Sequence, residues 1–288
     1  MNKISPWRSL IYAAVSLAAL ACLLPMLLVV AISLTDESSL AQKGYSFFPE
    51  ALSLDAYTTL IRGNSTIGSS YLISIIVTLA GTCLAVLITA SAGYALANRQ
   101  VNCRRGASLY FFIPMVFNAG LVPWYMICRE LGLTNNIFSL IIPTLLFSPF
   151  NLFLTRNFMI GIPDALGESA KMDGANDLFI AFRIYFPLSK PVLATIALFY
   201  GIGYWNDWFN SVMLVSDKRL YTLQFFLYNL QSEISAFKYI AQGVPVKAPP
   251  QDTFKMAAAV VTIGPIILLY PFLQKYFVKG LVVGGVKE

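Results

Sequence analysis

The sequence predicts an all-α integral membrane protein with about six transmembrane helices. Of its 288 residues, 57% are hydrophobic and only 12% are charged, whereas a soluble domain averages roughly 45–50% apolar and about 25% charged residues. Several uncharged runs also reach the roughly 20 residues that a helix needs to cross a hydrocarbon core of about 30 Å. The chain is therefore expected to form one helical bundle with loops in a lipid bilayer.

Six apolar stretches account for these helices. Their approximate limits are 10–34, 67–98, 106–128, 137–155, 192–215 and 256–273. The first stretch follows Lys3 and Arg8 and could be a signal peptide, but its apolar run is longer than the roughly 7–15 residues of a signal sequence. It is expected to stay as an uncleaved helix, preceding a long outer segment.

Basic residues predict the orientation of the bundle. They outnumber acidic residues in the segments on one side, whereas the rest of the chain is nearly balanced in charge. The short loop between the second and third stretches contains Arg99, Arg104 and Arg105, and short loops set orientation most strongly. Both termini and the loop 156–190 are therefore expected in the cytoplasm, and the long segments 35–67 and 216–255 outside.

Composition excludes several kinds of chemistry. Histidine is absent, which excludes Ser–His hydrolysis and histidine-ligated metal sites. The cysteines form no CxxC pair, so neither a metal site nor a disulfide framework is indicated; they are Cys22, Cys83, Cys103 and Cys128. The net charge of +6 could suggest nucleic acid, but in a membrane protein it fits cytoplasmic Lys and Arg.

The inner loop predicts a short helix–turn–helix. Pro163 suits a first helical turn because its missing N–H would be unpaired there, and Asp164 favours the same end through the helix dipole. Gly174 can adopt positive φ and end that helix. Asn176 can cap a second helix that runs towards Pro187.

Apolar side chains in this loop predict a docking surface. A solvated loop does not need them, and exposed apolar patches usually mark an interaction site. The residues concerned are Leu166, Met172, Phe179 and Phe182.

The loop resembles the EAA loop of ABC importer permeases. That pattern is Glu-Ala-Ala, a glycine four positions on, and Ile-x-x-Pro-Leu further on; here Ser169 replaces the first alanine, and Ile184, Pro187 and Leu188 complete the match. The resemblance implies that 163–190 is the coupling element that docks on a separate ATPase. It implies these ATPase-coupling residues: Glu168, Ser169, Ala170, Asp173, Gly174 and Ala175.

Other segments resemble the maltose-type sugar permeases. They are 93–97, 131–136, 162–163 and 274–280, while 117–125 is similar to the branch that handles oligosaccharides. The resemblance implies a type I importer permease fold, with residues 1–66 as the N-terminal helix and first outer segment and 67–288 as the permease core. The implied function is the channel-forming subunit of an ATP-driven carbohydrate importer in the inner (cytoplasmic) membrane.

The same resemblance implies the partners. They are a sister permease, expected to be a different chain, two ABC ATPase subunits and an extracytoplasmic sugar-binding protein. The chain has no GxxxxGK[ST] sequence, so ATP and Mg²⁺ are expected on the ATPase, and the chain is expected to be no enzyme and to hold no cofactor. The tail with Gly285 and Lys287 resembles tails that reach the ATPase; a disordered terminus is the alternative.

The fifth stretch offers candidates for a polar path through the membrane. An acid in a span costs about 3 kcal/mol on insertion scales, so it should face an aqueous cavity or a partner. Aromatic rings can stack on sugars, and Asn and Asp can bind hydroxyls; an interfacial aromatic belt or packing is the other interpretation. The candidates are Tyr204, Trp205, Asn206, Asp207 and Trp208.

A secondary transporter of small polar solutes is the alternative function. Such proteins need ion-coupling sites near the midplane and often contain repeats with broken helices. The predicted spans contain few ionisable groups, chiefly Asp207, and no repeat is apparent. The importer interpretation is therefore preferred.

The orientation can be tested by thiol labelling of single-cysteine variants in intact cells. Cysteines at positions 45 and 240 should react with an impermeant reagent, because both lie in predicted outer segments. Cysteines at 103 (the native residue) and 170 should react only after permeabilisation. Labelling of position 170 in intact cells would overturn the orientation.

Overall fold

The structure, a computed structural model, describes residues 6–62, 66–240 and 252–267. These residues are mainly helical. The helices are α1 (Pro6–Ser33), α2 (Glu37–Lys43), α3 (Asp55–Arg62), α4 (Thr66–Ala97), α5 (Arg104–Val116), α6 (Leu121–Glu130), α7 (Phe138–Ile141), α8 (Pro149–Ile160), α9 (Asp164–Met172), α10 (Asp177–Ile180), α11 (Phe186–Leu188), α12 (Lys190–Trp205), α13 (Phe209–Leu214) and α14 (Leu223–Ile240). A further helix, α15, covers 252–267, a π-helical turn, Ala181–Tyr185, joins α10 to α11, and a 3₁₀ turn, Lys218–Leu220, precedes α14.

Two single helices are long and apolar enough to cross a membrane. They are Leu10–Ser33, within α1, and α4. Nearly every side chain described in the first two-thirds of α1 is exposed, and a helix that is apolar all round must face lipid or another protein. These two helices agree with the first two predicted stretches.

Two further spans are bent. Helices α5 and α6 meet at 120°, and the α10–α11 segment meets α12 at 83°. Gly120, which precedes α6, has φ +86°, a conformation that glycine adopts without steric cost. By length and composition the described residues thus contain two single helices and up to two bent spans.

The predicted fourth stretch, 137–155, is not one continuous helix. Helix α7 ends at Ile141 and α8 begins at Pro149. Pro143 has no N–H to continue a helix, and Thr144 has φ +62°. The predicted sixth stretch, 256–273, is helical up to residue 267 and its remainder lies outside the described residues, so a total of six spans stays a prediction.

Side chains from α12 and α13 satisfy the backbone of this interruption. Tyr204 Oη donates to the Ile141 carbonyl at 2.8 Å, and Asn210 Nδ2 donates to the Pro143 carbonyl at 3.2 Å. The Ser148 N–H donates to Tyr200 Oη at 3.0 Å. Irregular backbone at membrane depth is tolerated only where protein or a water-filled cavity surrounds it, and these bonds meet that condition.

The residues divide into two compact units, one formed by residues up to Gly68 together with Phe226–Pro265, and one by Ser69–Phe225 with residues from Ile266. In the second unit the core lies between α4, α7 and α12. Tyr204 fits there because Gly81 lies beneath its ring: a Cβ at Gly81 would be 2.5 Å from the ring carbon Cζ. The predicted division at 66/67 stays a prediction.

Hydrogen bonds hold the first unit together. The Glu37 carboxylate accepts from the backbone N–H groups of Asp252 at 3.2 Å and Thr253 at 3.0 Å, and so caps α15. Ser33 and Tyr57 share a hydroxyl–hydroxyl bond of 2.7 Å. Asp36 caps α2, and hydrogen bonds from Ser38 and Ser39 hold the pKa of that carboxyl below its ordinary value.

We expect Gly81→Ala to destabilise the protein, because the added Cβ overlaps the ring of Tyr204. Overpacking of this kind costs about 1–3 kcal/mol. The control is Gly68→Ala in the same helix, where a Cβ meets nothing within 4 Å. The measurement is the apparent melting temperature of the purified protein in detergent. Equal melting temperatures for the two variants would contradict the packing assigned to Tyr204.

Candidate functional site

The segment 163–190 forms the predicted helix–turn–helix. Helix α9 begins directly after Pro163, with Asp164 in its first turn and Lys171 in its last. An acid at the N-terminus and a base at the C-terminus both oppose the helix dipole and stabilise the helix. The charges at both ends therefore favour this short helix.

Gly174 ends α9 with a Schellman motif. Its φ is +81°, its N–H donates to the Lys171 carbonyl at 3.0 Å, and the Ala175 N–H donates to the Ala170 carbonyl at 2.9 Å. This pair of bonds satisfies carbonyls that a helix end leaves free, and it requires a left-handed residue. The prediction that Gly174 adopts positive φ and ends this helix is confirmed.

Asn176 starts the second helix. Its Oδ1 accepts a hydrogen bond of 2.8 Å from the Phe179 N–H, as an N-cap side chain should. The helical path then continues through α10, the π-helical turn and α11 to Leu188. The predicted cap is confirmed, and the π-helical turn is a local widening that the sequence pattern did not indicate.

The side of this segment that faces away from the rest of the protein exposes apolar side chains. Met172 is 88% exposed and Phe179 is 52% exposed. The other predicted apolar residues, Leu166 and Phe182, are exposed as well, and so is Leu178. Apolar groups at this density on a turn are typical of a docking surface.

A shallow cavity of about 380 Å³ opens at the turn. Its lining consists of Ala170, Asp173, Gly174, Ala175 and Phe179. A Cβ at Gly174 would meet nothing within 4 Å, so the small residues leave space at the surface. The structure thus brings together four of the six predicted coupling residues.

Glu168 lies apart from that cavity. It lines a separate polar cavity of about 220 Å³, with Arg99, Gln100 and Lys171 among its neighbours. Glu168 is exposed and forms no ion pair with another described residue. Ser169, the remaining predicted coupling residue, is exposed on α9. The carboxylate of Glu168 is therefore available to a partner beside, and not inside, the Gly174 cavity.

An apolar cluster attaches the segment to the end of α4. Ala97, Met159, Ile180 and Tyr185 are buried together, and the Tyr185 ring lies edge-on to the Tyr94 ring at 4.9 Å. Since surface ion pairs contribute only about 0–1 kcal/mol, the apolar cluster is the main attachment.

Two ion pairs and one hydrogen bond surround this cluster. Arg99 pairs with Asp164 at 3.4 Å and Lys171 with Asp177 at 3.0 Å, while Lys171 also donates to Gln100. From the sequence, Arg99 served only as an orientation signal, and Gln100 was not a candidate. No motif marks either residue, because their role depends on which end of α4 lies beside α9.

The structure distributes the five pathway candidates between core and surface. Tyr204 and Trp205 are buried, and the Tyr204 hydroxyl already donates to α7. Asn206 is exposed and accepts a bond of 3.3 Å from Gln224. Asp207 is half-buried and accepts from the Asn210 N–H at 3.3 Å, which caps α13; Trp208 is 43% exposed.

Two further predictions concern the tail and metal binding. Gly285 and Lys287 lie outside the described residues. Within the described part of the chain, no group of three or more Cys, Asp or Glu residues could hold a metal ion.

Residues 91–283 match a known protein family. Its description is "binding-protein-dependent transport system inner membrane component". The chain is 36% identical over 282 residues to the polygalacturonan/rhamnogalacturonan transport system permease protein YtcP of Bacillus subtilis, covering 96% of this chain and 97% of that protein. It is 37% identical to Protein LplC of the same organism, covering 92% and 89%.

A solved structure has a similar fold. It is a chain of a bacterial ABC transporter involved in the import of the acidic polysaccharide alginate, with a TM-score of 0.83 and 30% sequence identity. The superposition covers 96% of this chain and all of that chain. The fold similarity therefore extends well beyond the residues that match the family.

Proposed function

The chain belongs to the binding-protein-dependent transport system inner membrane components and is a permease subunit of an ABC importer, and from this premise we propose that it imports carbohydrates, most specifically oligosaccharides. Two observations support the substrate class. The relative YtcP is named for polygalacturonan and rhamnogalacturonan, and the similar solved transporter imports alginate. Family membership disfavours the alternative of a secondary transporter, because this family draws its energy from a separate ATPase.

The proposed coupling element is the segment 163–190. The observation that carries this proposal is the Gly174 turn, which places a cavity lined by small residues beside exposed apolar groups. A partner can approach closely where no Cβ intervenes, and exposed apolar groups supply the area to be buried. We therefore propose these ATPase contacts: Glu168, Ser169, Ala170, Asp173, Gly174 and Ala175.

The permease works with a partner permease, an ATPase and a binding protein. We propose a different chain as the sister permease, two ATPase subunits that hold ATP and Mg²⁺, and a location in the cytoplasmic membrane with both termini inside. The outer segments 35–67 and 216–255 would then receive the sugar-binding protein. The tail residues Gly285 and Lys287 would reach the ATPase, and 67–288 would be the permease core after the 1–66 segment.

The substrate path is proposed to pass the end of α12. Asn206 and Trp208 are exposed there, and Asp207 is half-buried between them. These groups combine hydrogen-bonding and apolar surfaces, which suits a sugar. Tyr204 and Trp205 would shape the wall from behind, since both are buried.

The coupling proposal predicts that Gly174→Val inserts into the membrane but fails to couple. A side chain at positive φ costs roughly 1–2 kcal/mol, and the valine would also fill the cavity at the turn. We expect substrate-stimulated ATP hydrolysis in liposomes to fall by about fivefold or more. Glu168→Ala should have the smaller effect, because an exposed charge pair at the rim of an interface contributes little.

Matched controls separate docking from backbone strain. Gly132 also has positive φ, at +68°, and open space around its Cβ, but it lies outside the coupling segment. Gly132→Val and Glu130→Ala should therefore leave ATPase copurification and stimulation unchanged. Wild-type coupling in Gly174→Val and Glu168→Ala would remove 163–190 as the coupling element.

The pathway proposal predicts that Asn206→Leu lowers uptake while assembly and basal ATP hydrolysis stay intact. The substitution removes a group that can bind sugar hydroxyls. The matched variant Gln224→Leu removes the hydrogen bond between these two side chains but keeps the Asn206 amide. If both variants lower uptake equally, Asn206 acts through packing and not as part of the path.

A further inference from the structure

Four arginines surround one cavity at the inner ends of α4, α5 and α8. Its volume is about 460 Å³, and its lining, the arginine pocket, consists of Ala97, Arg99, Arg104, Arg105, Ser108, Arg156 and Ile160. All of these residues belong to the second compact unit. None of them lies within the segment 163–190 or on the proposed substrate path, although Arg99 also lines the polar cavity beside Glu168.

Three of these arginines have no acidic partner among the described residues. Arg99 is the exception, since it pairs with Asp164 at 3.4 Å on an exposed part of the surface. Arg156 is half-buried and its Nε is buried without a hydrogen-bond partner. Buried polar groups almost always have a partner, and a guanidinium matches the oxygens of a phosphate or carboxylate. The pocket therefore offers a site that suits an anion.

The start of α5 adds to the positive potential. Arg104 and Arg105 are the first two residues of this 13-residue helix, and Cys103 provides no side-chain cap. Cations at a helix N-terminus are unfavourable because free N–H groups there already carry partial positive charge. A bound anion would accept from these N–H groups and offset both costs.

An apolar surface continues from the arginines along α5. Leu109 and Phe112 are exposed, and they follow Arg105 by four and seven positions, which places all three on one face of the helix. No residue of α5 is buried within the chain. A ligand with an anionic head and an apolar body would contact both the arginine pocket and the apolar face of α5. A soluble anion would contact only the pocket.

We propose that the arginine pocket binds the phosphoryl headgroup of an anionic phospholipid, whose acyl chains lie along the exposed face of α5. Basic pockets between membrane helices are suited to such headgroups. The lipid would anchor the junction of α4, α5 and α8 at one surface of the bilayer. A lipid is favoured because the arginines lie at one end of the exposed apolar face of α5, as a headgroup lies at one end of its acyl chains.

The test is lipid binding by the purified importer complex in mild detergent, measured by native mass spectrometry. The probes are dioleoyl-phosphatidylglycerol and dioleoyl-phosphatidylcholine. We expect the anionic lipid to bind about tenfold more tightly, and Arg156→Gln to weaken it roughly fivefold without changing the neutral lipid. The double variant R104Q/R105Q, at an exposed helix end, should weaken binding in the same way even if Arg156→Gln disturbs folding. The control is Arg129→Gln, an exposed arginine on α6.

Three results would overturn the proposal. Equal affinity for the two lipids in the wild-type complex, or equal losses in Arg129→Gln, would show that the pocket does not select a headgroup. Displacement of phosphatidylglycerol by equimolar inorganic phosphate would assign the pocket to a free anion. If the variants keep lipid binding but lose a protein subunit, the arginine pocket belongs to a protein interface. None of these readouts depends on the transported substrate.

Discussion

The break between α7 and α8 determines how the second unit is built. At membrane depth a helix cannot be interrupted unless other groups satisfy the freed N–H and C=O groups. Tyr200 and Tyr204 of α12 and Asn210 of α13 do so, from more than fifty positions further along the chain. The position of Tyr204 in turn requires a residue without a side chain at Gly81. One local irregularity thus brings together α4, α7, α8, α12 and α13.

Features that depend on interactions between neighbouring residues could be predicted from the sequence. Gly174 and Asn176 act on neighbouring residues, so the turn and the cap of the second helix followed from residue type alone. Pro163, predicted in the first turn of α9, lies one position before it. The sequence could not predict the interruption of 137–155, since membrane helices often tolerate proline and the groups that compensate here lie more than fifty positions away. For the same reason the sequence could not show that Tyr204, a candidate for the substrate path, is buried and donates a hydrogen bond to α7.

The segment 163–190 has two sides with different chemistry. One side is anchored to α4 by buried apolar contacts around Tyr185, while the other exposes Met172 and Phe179. A partner that binds the exposed side therefore pushes on a segment that is firmly attached to a membrane helix. The buried contacts around Tyr185 join this segment to α4, and α4 contacts α12 where Gly81 lies beneath Tyr204.

The cap that Glu37 places on α15 has a consequence for biosynthesis. Its acceptor and donors are 215 and 216 positions apart, and the unit they hold together combines the start of the chain with residues 226–265. A ribosome must therefore translate 215 residues beyond Glu37 before this cap can form. The first two-thirds of α1, which the folded unit leaves exposed, therefore depends on lipid or on other proteins both before and after the cap forms.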